Sequence, residues 1–352
     1  MCIVKNKTDN SMENLKWSEL PFGYMKTDYN IRCYFRNGQW GKLEVTSSEI
    51  INMHMASTCL HYGQEAFEGL KAFRGKDGRI RVFRMDANAA RMQSSCRGIR
   101  MAEPPAALFE EAVRKAIRLN ERFVPPYGSG ASLYVRPLVI GLGAQVGVSP
   151  ASEYMFLVFV TPVGPYFKTG FKPAPVCIMR SYDRAAPQGT GAFKVGGNYA
   201  ASLNAGCIAQ KKGYVAVLYL DPKEKKYLDE CGPANFFAIR GDTYVTPASG
   251  SILPSITNRS LIQLAEDVLH LRVERRPIPV TELASFEEAA ECGTAAVVTP
   301  ISRIDDLDEN TSFAYTRDDK PGAVCEQLYH RLRAIQCGDE PDPYGWVEII
   351  EM

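Results

Sequence analysis

The first half of the chain alternates short apolar runs with turn residues, a pattern that predicts β-strands joined by tight turns. Three such runs are IRCYFRNGQW at 31–40, HYGQEAFEGLKAFRG at 61–75 and RIRVFRM at 79–85. An Asp-Gly pair at 77–78 separates the last two runs and favours a hairpin turn. Two longer runs, SLYVRPLVIG and EYMFLVFVTPV, follow further along the chain. We therefore expect an antiparallel sheet in this half.

Two helices are predicted between these strands. Asp86 is of a residue type that favours a helix N-terminus, so the first helix is expected to begin there. From about position 106, apolar residues recur at the spacing of one helix face. That face consists of Phe109, Ala112, Val113, Ala116 and Ile117.

Chain-breaking residues divide the sequence in its middle. Four prolines and two glycines fall between positions 162 and 175, and such a density suits a stiff linker better than a helix or a strand. We place a small N-terminal domain at 1–164, an interdomain linker at 165–175 and a larger C-terminal domain at 176–352.

The second half mixes predicted strands with two predicted helices. Strands are expected near 176–181, 213–221, 227–229 and 235–240. The helices are expected at 258–270, where leucines recur at helical spacing, and at 323–336. Helices segregated from strands in this way indicate an α+β fold rather than a doubly wound parallel sheet.

Composition and charge narrow the classes of function. The chain has 352 residues, of which 45% are hydrophobic and 23% charged, as expected for about two globular domains. Lys and Arg number 41 against 40 Asp and Glu, a balance too even to favour binding to nucleic acid. No apolar run approaches the length of a membrane span, so no membrane partner is expected.

Cysteine and histidine usage adds two expectations. The ten cysteines are scattered without a CxxC pair, and the N-terminus lacks the charged and apolar regions of a secretory signal. We therefore expect a cytoplasmic protein. The four histidines show no ligand spacing, so no metal site is expected.

A lysine is the first candidate for chemistry. Lys194 lies among small and apolar residues in GTGAFKVGGNYA, where Gly196 and Gly197 would allow close approach of the backbone. A lysine that loses its water has a lowered pKa and can attack a carbonyl as a free base, forming a Schiff base. On this segment alone, an ordinary surface lysine is the simpler interpretation.

Other residues are candidates for a site around this lysine. Glu230 precedes a Gly-Pro turn, and a carboxylate beside a pyridine nitrogen keeps that ring protonated. Arg91, Thr257 and Thr294 are candidate phosphate anchors. Thr257 would also serve as the N-cap of the helix predicted from Asn258, whose free N–H groups attract an anion.

Seven motifs, in order along the chain, together resemble the branched-chain amino-acid aminotransferases, which belong to the fold type IV class of pyridoxal-phosphate enzymes. The motifs are LPFGYMKTDYN, LHYGQEAFEGLKAFRG, LYVRPLVIG, VGVSP, KVGGNYA, the Glu-Cys-Gly turn at 230–232 and CGTAAVVTP. The resemblance implies an α+β protein of two domains, a small α/β N-terminal domain and a larger mixed-sheet, pseudo-barrel C-terminal domain. It also implies that the domains meet around the cofactor and that the protein is a homodimer.

The resemblance further implies roles for residues around pyridoxal 5'-phosphate. Lys194 would be the catalytic lysine that bonds to the cofactor, Tyr199 would contact the ring hydroxyl oxygen, and Glu230 would pair with the ring nitrogen. The residues implied for the phosphate are Arg91, Thr294 and the backbone N–H groups of Ile256 and Thr257.

For the substrate, the resemblance implies two further sets. The residues implied for the carboxylates are Tyr134, Arg136 and the backbone N–H groups of Ala295 and Ala296. The residues implied for an apolar side-chain pocket are Phe22, Tyr62, Phe67 and Val148.

The implied activity is reversible amino transfer between L-leucine, L-isoleucine or L-valine and 2-oxoglutarate, which gives branched 2-oxo acids and L-glutamate. A D-amino-acid aminotransferase or an aminodeoxychorismate lyase shares the fold type, but the LYVRP and GTAA motifs and the aromatic pocket argue against both. A non-catalytic binding protein is the alternative from another class, although every residue that the chemistry needs is present. Some relatives carry a CxxC after the GTA turn, whereas 293–298 reads GTAAVV here, so no thiol switch is expected at that place.

Overall fold

The computed structural model describes residues 15–166, 171–316 and 320–352. The N-terminal segment 1–14, on which the secretory-signal expectation rests, and positions 167–170 of the expected linker lie outside these residues. The earlier elements are β1 (Asn30–Arg36), β2 (Gln39–Trp40), β3 (Glu44–Thr46), α1 (Thr58–Tyr62), β4 (Glu65–Phe67), β5 (Leu70–Arg74), β6 (Ile80–Phe83), α2 (Met85–Gly98), α3 (Ala106–Leu119), β7 (Ser132–Gly141) and β8 (Tyr154–Val163). The later ones are β9 (Ala174–Ile178), α4 (Gly196–Lys211), β10 (Ala216–Leu220), β11 (Leu228–Cys231), β12 (Ala234–Arg240), β13 (Thr243–Pro247), α5 (Ile256–Asp267), β14 (Arg272–Arg276), β15 (Glu288–Gly293), β16 (Val297–Asp306), β17 (Thr311–Ala314), α6 (Ala323–Cys337) and β18 (Val347–Ile350).

The first sheet is antiparallel, as the sequence predicts, with the strand order β18-β6-β5-β7-β8-β1-β2. Helices α2 and α3 pack against it and enclose an apolar core. The predicted face of α3, from Phe109 to Ile117, is fully buried in this core. Burial of this face holds the helix on the sheet, because removing apolar surface from water is the main favourable term in folding.

The second sheet closes on itself. Strands β9, β10, β11, β12, β15 and β16 form a ring in which β9 pairs in parallel with both β10 and β16. The remaining pairs of the ring are antiparallel. Side chains such as Leu218, Phe236 and Ile301 fill a second core here. The predicted α+β class with a barrel-like mixed sheet is therefore confirmed.

Two predicted helix starts are wrong by one or two residues. Helix α2 begins at Met85, so Asp86 lies in its first turn and not at the N-cap position. Helix α5 begins at Ile256, and the Ser255 hydroxyl caps it by accepting a hydrogen bond from the Asn258 N–H at 3.1 Å. Thr257 is therefore not the cap, because a serine stands directly before the first helical residue.

Helix α4 is absent from the sequence predictions. Only Asn198, Ala205 and Ala209 are buried along it, so its apolar residues show no helical period. Its first residue, Gly196, does bring the backbone close to a neighbour, since a Cβ there would clash with the Glu65 carboxylate. A Cβ at Gly197 would meet nothing within 4 Å, so the expected close approach is wrong for that glycine.

The last strand is an exception to the expected division of the chain. Strand β18 pairs antiparallel with β6 and thereby belongs to the first sheet, although residues 176–352 are expected to form the C-terminal domain. Strand β9 also begins at Ala174, inside the expected linker. Helix α6 packs against strands of both sheets. The domain division at 165–175 stays a prediction, and β18 is an exception to it because it joins the sheet of the N-terminal part. No helix in the described part of the chain is long and apolar enough to span a membrane.

Gly69, between β4 and β5, leaves space for a tyrosine ring of the central strand β7. A Cβ at this position would clash with the hydroxyl of Tyr134 and lie 2.9 Å from its Cζ. Tyr134 is itself buried and contacts Phe22 at a ring-centroid distance of 5.0 Å. The missing side chain at Gly69 therefore fixes where the Tyr134 hydroxyl lies.

Gly69→Ala should displace Tyr134 and lower the free energy of unfolding by about 1–3 kcal/mol, because the methyl group overpacks a filled site. Gly206→Ala in helix α4 is the matched control, since a Cβ there meets nothing within 4 Å, and it should raise stability by about 0.5–1 kcal/mol. Urea denaturation of the three proteins measures both changes. Equal stability of Gly69→Ala and the parent would show that the ring does not depend on this glycine.

Candidate active site

A cavity of about 480 Å³ lies between the two sheets. Its walls come from β4 and β7 of the first sheet, from α2, and from the segments around α4, α5 and the turn after β15. Ten of the residues expected at the site line it. They are Phe22, Phe67, Arg91, Tyr134, Arg136, Lys194, Tyr199, Ile256, Thr294 and Ala295.

The backbone of Lys194 is held by the first sheet and its helix. Its N–H donates to Ser95 Oγ on α2 at 2.8 Å, and its carbonyl accepts from the Phe67 N–H at 3.1 Å. An isolated antiparallel bridge joins the next residue, Val195, to Ala66 on β4. Lys194 thus precedes α4 but is fixed in place by elements earlier in the chain.

Lys194 is half-buried in the cavity wall, and its amine lies close to aromatic groups. Nζ donates to Tyr199 Oη at 2.8 Å and lies 4.7 Å from the centre of the Phe67 ring. Burial, and then the nearby Arg91 cation, lower the pKa of Lys194 to about 8. Burial raises the pKa of Tyr199 to about 12, so its hydroxyl keeps its proton near neutral pH. The amine is therefore partly uncharged near neutral pH.

A buried ion pair orients Arg91 on the opposite wall. Arg91 Nε and Nη2 donate to the two oxygens of Glu68 at 2.7 and 2.8 Å, and Asn88 Nδ2 adds a bond to the same carboxylate at 2.7 Å. Glu68 is fully buried. The remaining nitrogen, Arg91 Nη1, lies 3.1 Å from the Pro254 carbonyl, just before α5. A two-bond pairing of this kind fixes the plane of the guanidinium.

Helix α5 presents its N-terminus to the same part of the cavity. The first N–H groups of a helix have no acceptor inside it, and Ser255 serves only that of Asn258. The N–H groups of Ile256 and Thr257 therefore remain available at the positive end of the helix dipole. Thr294 lines the cavity as well. Arg91 and this helix end form a cradle suited to an anion.

Glu230 lies behind the cavity wall and is only 2% exposed. Its Oε1 accepts the Leu253 N–H at 3.0 Å, and its Oε2 accepts Asn235 Nδ2 at 3.0 Å. Both donors belong to residues that line the cavity. Burial raises the pKa of Glu230 to about 7, while Arg184, with Nη2 at 2.7 Å from Oε1, acts to lower it.

Tyr134 and Arg136, two residues apart on β7, meet at a third wall. Arg136 Nη2 donates to Tyr134 Oη at 2.9 Å, and the guanidinium lies 4.8 Å from the centre of the Phe67 ring. Arg136 Nε is buried without a hydrogen-bond partner among the described residues. An unsatisfied buried donor is costly, so this wall is suited to an acceptor from a ligand.

Lys71 on β5 supports the turn after β15, and sequence reasoning did not identify it. Its Nζ donates to the Ala295 carbonyl at 2.6 Å, and burial followed by repulsion from Arg333 lowers its pKa to about 7. Ala295 lines the main cavity, whereas Ala296 lines a small adjoining one together with Lys71. Lys71 thus holds the turn from the small adjoining cavity.

Tyr62 and Val148 are not brought into the cavity. They line a separate cavity of about 420 Å³ with Gly197 and are 41% and 85% exposed. The Tyr62 hydroxyl donates to the Val146 carbonyl, which ties the two segments together. Thr257 and Glu230 also fall outside the lining of the main cavity, but each adjoins it, through Ile256 and Asn235.

The sequence analysis did not identify three more residues of this region, namely Glu68, Ser95 and Arg184. A signal existed for Glu68, as for Lys71, because charged residues inside the apolar run FEGLKAF are costly to bury unless paired. No comparable signal marks Ser95 or Arg184, since their partners come from distant segments. The described residues contain no cluster of side chains that could hold a metal ion.

Comparison with known proteins gives a family for this arrangement. The model of the class IV amino-transferases matches residues 65–304, which span the walls of the cavity from β4 to β16. The branched-chain-amino-acid aminotransferase of Helicobacter pylori strain J99 is 46% identical over 96% of this chain and 98% of its own length. That of Haemophilus influenzae is 44% identical over 97% of this chain and 100% of its own length.

A solved structure agrees with these relatives in its fold. The branched-chain amino acid aminotransferase of Thermobaculum terrenum, solved in its PLP holo-form, superposes with a TM-score of 0.76 at 26% identity and covers 94% of this chain and 100% of that one. The cavity lined by Lys194, the full-length relatives and the shared fold agree, and they confirm the resemblance noted in the sequence. This chain belongs to the class IV aminotransferase family.

Proposed function

We propose that the protein is a branched-chain amino-acid aminotransferase. It transfers the amino group of L-leucine, L-isoleucine or L-valine to 2-oxoglutarate, reversibly, and gives branched 2-oxo acids and L-glutamate. Relatives of this name match nearly the whole chain at 46% and 44% identity. The observation that carries the proposal is the desolvated amine of Lys194, 2.8 Å from Tyr199 Oη, inside a cavity with an anion cradle.

The residues around the cavity fit pyridoxal 5'-phosphate as the cofactor. Lys194 would attach to it, Tyr199 would contact its ring oxygen, and Glu230 would meet its ring nitrogen. The phosphate would be held by Arg91, Thr294 and the N–H groups of Ile256 and Thr257. When bound, the cofactor supplies a protonated ring that withdraws electrons from the substrate Cα.

Lys194 would move protons at the substrate when cofactor and substrate are bound. As a neutral amine, Nζ would accept the proton of the substrate Cα, and as an ammonium it would be the donor that gives that proton back. Burial and Arg91 lower the pKa of Lys194 to about 8, so the neutral fraction grows as the pH rises through that value. Tyr199 and the Phe67 ring hold the amine in place.

The substrate side must accept both a branched apolar side chain and the γ-carboxylate of glutamate. Phe22, Phe67 and the Tyr134 ring supply apolar surface. The substrate α-carboxylate would be held by Tyr134 Oη and the N–H groups of Ala295 and Ala296, in a turn supported by Lys71. The distal carboxylate would bind Arg136, which has no carboxylate within 4 Å among the described residues.

We also propose that the protein is a homodimer in which a second copy covers the surface around Tyr62 and Val148. This surface carries large exposed side chains, and exposed apolar patches mark interaction sites in soluble proteins. The side chains are Met55, Leu60, Tyr62, Val146 and Val148. In the dimer, Tyr62 and Val148 of one copy would complete the apolar pocket of the other. A cytoplasmic location is supported by the nine described cysteines, all of which are free thiols.

Lys194→Ala should abolish turnover, by at least about 10²–10⁴-fold, because it removes the attachment point and the proton carrier together. The parent should accept L-leucine, L-isoleucine and L-valine with 2-oxoglutarate and reject the D-enantiomers. Lys211→Ala, at the exposed end of α4, is the control and should keep the parent rate. Transamination by Lys194→Ala at the parent rate, or a preference for D-amino acids, would contradict the proposal.

Arg136→Met should damage the half-reaction with glutamate far more than that with leucine, because only glutamate carries a second carboxylate for the guanidinium. The measurement is kcat/KM of each half-reaction in parent and variant. Arg272→Met, an exposed arginine paired with Asp242, should leave both values unchanged. Equal losses for the two amino acids would place Arg136 at the shared α-carboxylate or in the scaffold.

Val148→Asp should dissociate the dimer, because it places a charge in an apolar contact. Sedimentation analysis should show twice the chain mass for the parent and a concentration-dependent loss of that species for the variant. Val215→Asp changes another exposed valine, on the barrel side, and should sediment like the parent. A parent that sediments as a monomer contradicts the dimer.

A further inference from the structure

Arg184 joins two segments that hold the site from behind. It precedes α4 and is only 7% exposed. Its Nη2 donates to the Gly191 carbonyl at 2.9 Å and to the Ser251 carbonyl. Gly191 lies in the segment that leads to Lys194, and Ser251 lies in the segment that leads to α5. A single guanidinium therefore fixes the spacing between the lysine and the anion cradle.

The same nitrogen also approaches Glu230. Arg184 Nη2 lies 2.7 Å from Glu230 Oε1, which already accepts the Leu253 N–H at 3.0 Å. Oε2 accepts only Asn235 Nδ2, at 3.0 Å, among the described residues. A carboxylate offers about four lone-pair sites in total. Both hydrogens of Arg184 Nη2 go to the Gly191 and Ser251 carbonyls, so its contact with Oε1 is ionic and uses no lone pair. Each oxygen of Glu230 accepts one hydrogen bond, which leaves a lone pair of Oε2 for a further donor.

The charge of Glu230 depends on what surrounds it. Burial raises the pKa of Glu230 to about 7, and Asp229, directly before it on β11, acts in the same direction. The Asp229 carboxylate is itself held by the hydroxyls of Ser249 and Ser251. Arg91 and Tyr199 face Glu230 from the cavity side, at longer range. Arg184 is the one cation within 4 Å of Glu230 in the described part of the chain.

We propose that Arg184 is a positioning residue for the ring nitrogen of the cofactor, acting through Glu230. Its positive charge lies against Oε1, favours the ionised form of the buried carboxylate and leaves a lone pair of Oε2 to meet the protonated ring nitrogen. This inference rests on the cofactor assignment made above. Without the guanidinium, the pKa of Glu230 rises further, so a larger fraction of the protein presents a neutral group to the ring near neutral pH.

Cofactor binding by the apoprotein tests this role without measuring turnover. Apo forms of the parent, Arg184→Gln and Arg184→Lys are titrated with pyridoxal 5'-phosphate from pH 6 to 9, and the visible absorbance gives Kd at each pH. Arg184→Gln retains an amide donor without a charge, so its Kd should exceed that of the parent by about tenfold at low pH, as for a shift of one pKa unit. The ratio should approach one as the pH rises, because Glu230 ionises again. Arg184→Lys keeps the charge, so its ratio should be smaller and independent of pH.

A double-mutant cycle with Glu230→Gln separates this role from a general loss of structure. In the Glu230→Gln background, Arg184→Gln should change Kd by less than about twofold, because the group through which it acts is gone. Arg180→Met is the matched control, since it breaks another arginine pair with a buried carboxylate, Asp306, away from the cavity. It should lower Tm and leave the Kd profile of the parent unchanged.

The outcomes distinguish the two proposals. A parent apoprotein that gains no visible absorbance with pyridoxal 5'-phosphate would overturn the proposed function itself. A parent that binds while Arg184→Gln shows a ratio independent of pH, or the same loss in the Glu230→Gln background, would overturn the role of Arg184 alone. Failure of Arg184→Gln to fold in both backgrounds would assign Arg184 to the scaffold, whereas rescue of folding by Glu230→Gln would support the coupling.

Discussion

Burial of ionisable side chains between the two sheets is the constraint on which this site depends. The same burial that lowers the pKa of Lys194 raises the pKa values of Glu230 and Tyr199. Burial therefore favours the uncharged form of each group unless an opposite charge lies close by. The uncharged lysine is useful as a base and nucleophile, whereas an uncharged Glu230 could not pair with a protonated ring.

Arginine partners favour the ionised form of two buried carboxylates, against the effect of burial. Glu68 holds Arg91 with two bonds, and Glu230 has Arg184 beside it. Lys194 Nζ has only the neutral Tyr199 hydroxyl as a hydrogen-bond partner and no carboxylate within 4 Å among the described residues. The carboxylates Glu68 and Glu230 thus each have an arginine that balances their charge. The ammonium of Lys194, which must lose its proton, has no such partner. Such buried pairs are costly to break, because removal of one partner strands the other without water.

The sequence predicts much of this arrangement, for reasons that are local. The face of α3 from Phe109 to Ile117 has helical spacing, and it is buried as expected. Motifs with a fixed order along the chain predict the family and ten residues of the cavity wall. Helix α4 has no apolar period, because most of it is exposed around a few small buried residues. Periodicity therefore cannot identify it.

The remaining differences come from contacts between distant segments. Ser255 caps α5, although Thr257, two residues later, is also of a type that caps helices. Residue type alone therefore does not locate the cap. Arg184 and Glu68 acquire their roles from partners that only the folded chain brings near. Tyr62 and Val148 are aromatic and apolar, as a substrate pocket requires, yet within one copy they lie in a separate cavity. Residue type predicts their apolar chemistry but not the separate cavity in which they lie.

Strand β18 has a consequence for how the protein is made. Its partner β6 ends at Phe83, and the ribosome must add the whole barrel before residues 347–350 can pair with it. Until then, the edge of the first sheet at β6 exposes unpaired N–H and C=O groups, and such edges promote aggregation. The first sheet therefore contains both the first strand to be synthesised, β1, and the last, β18. During synthesis, a chaperone that covers this edge would protect the nascent chain until its final strand emerges.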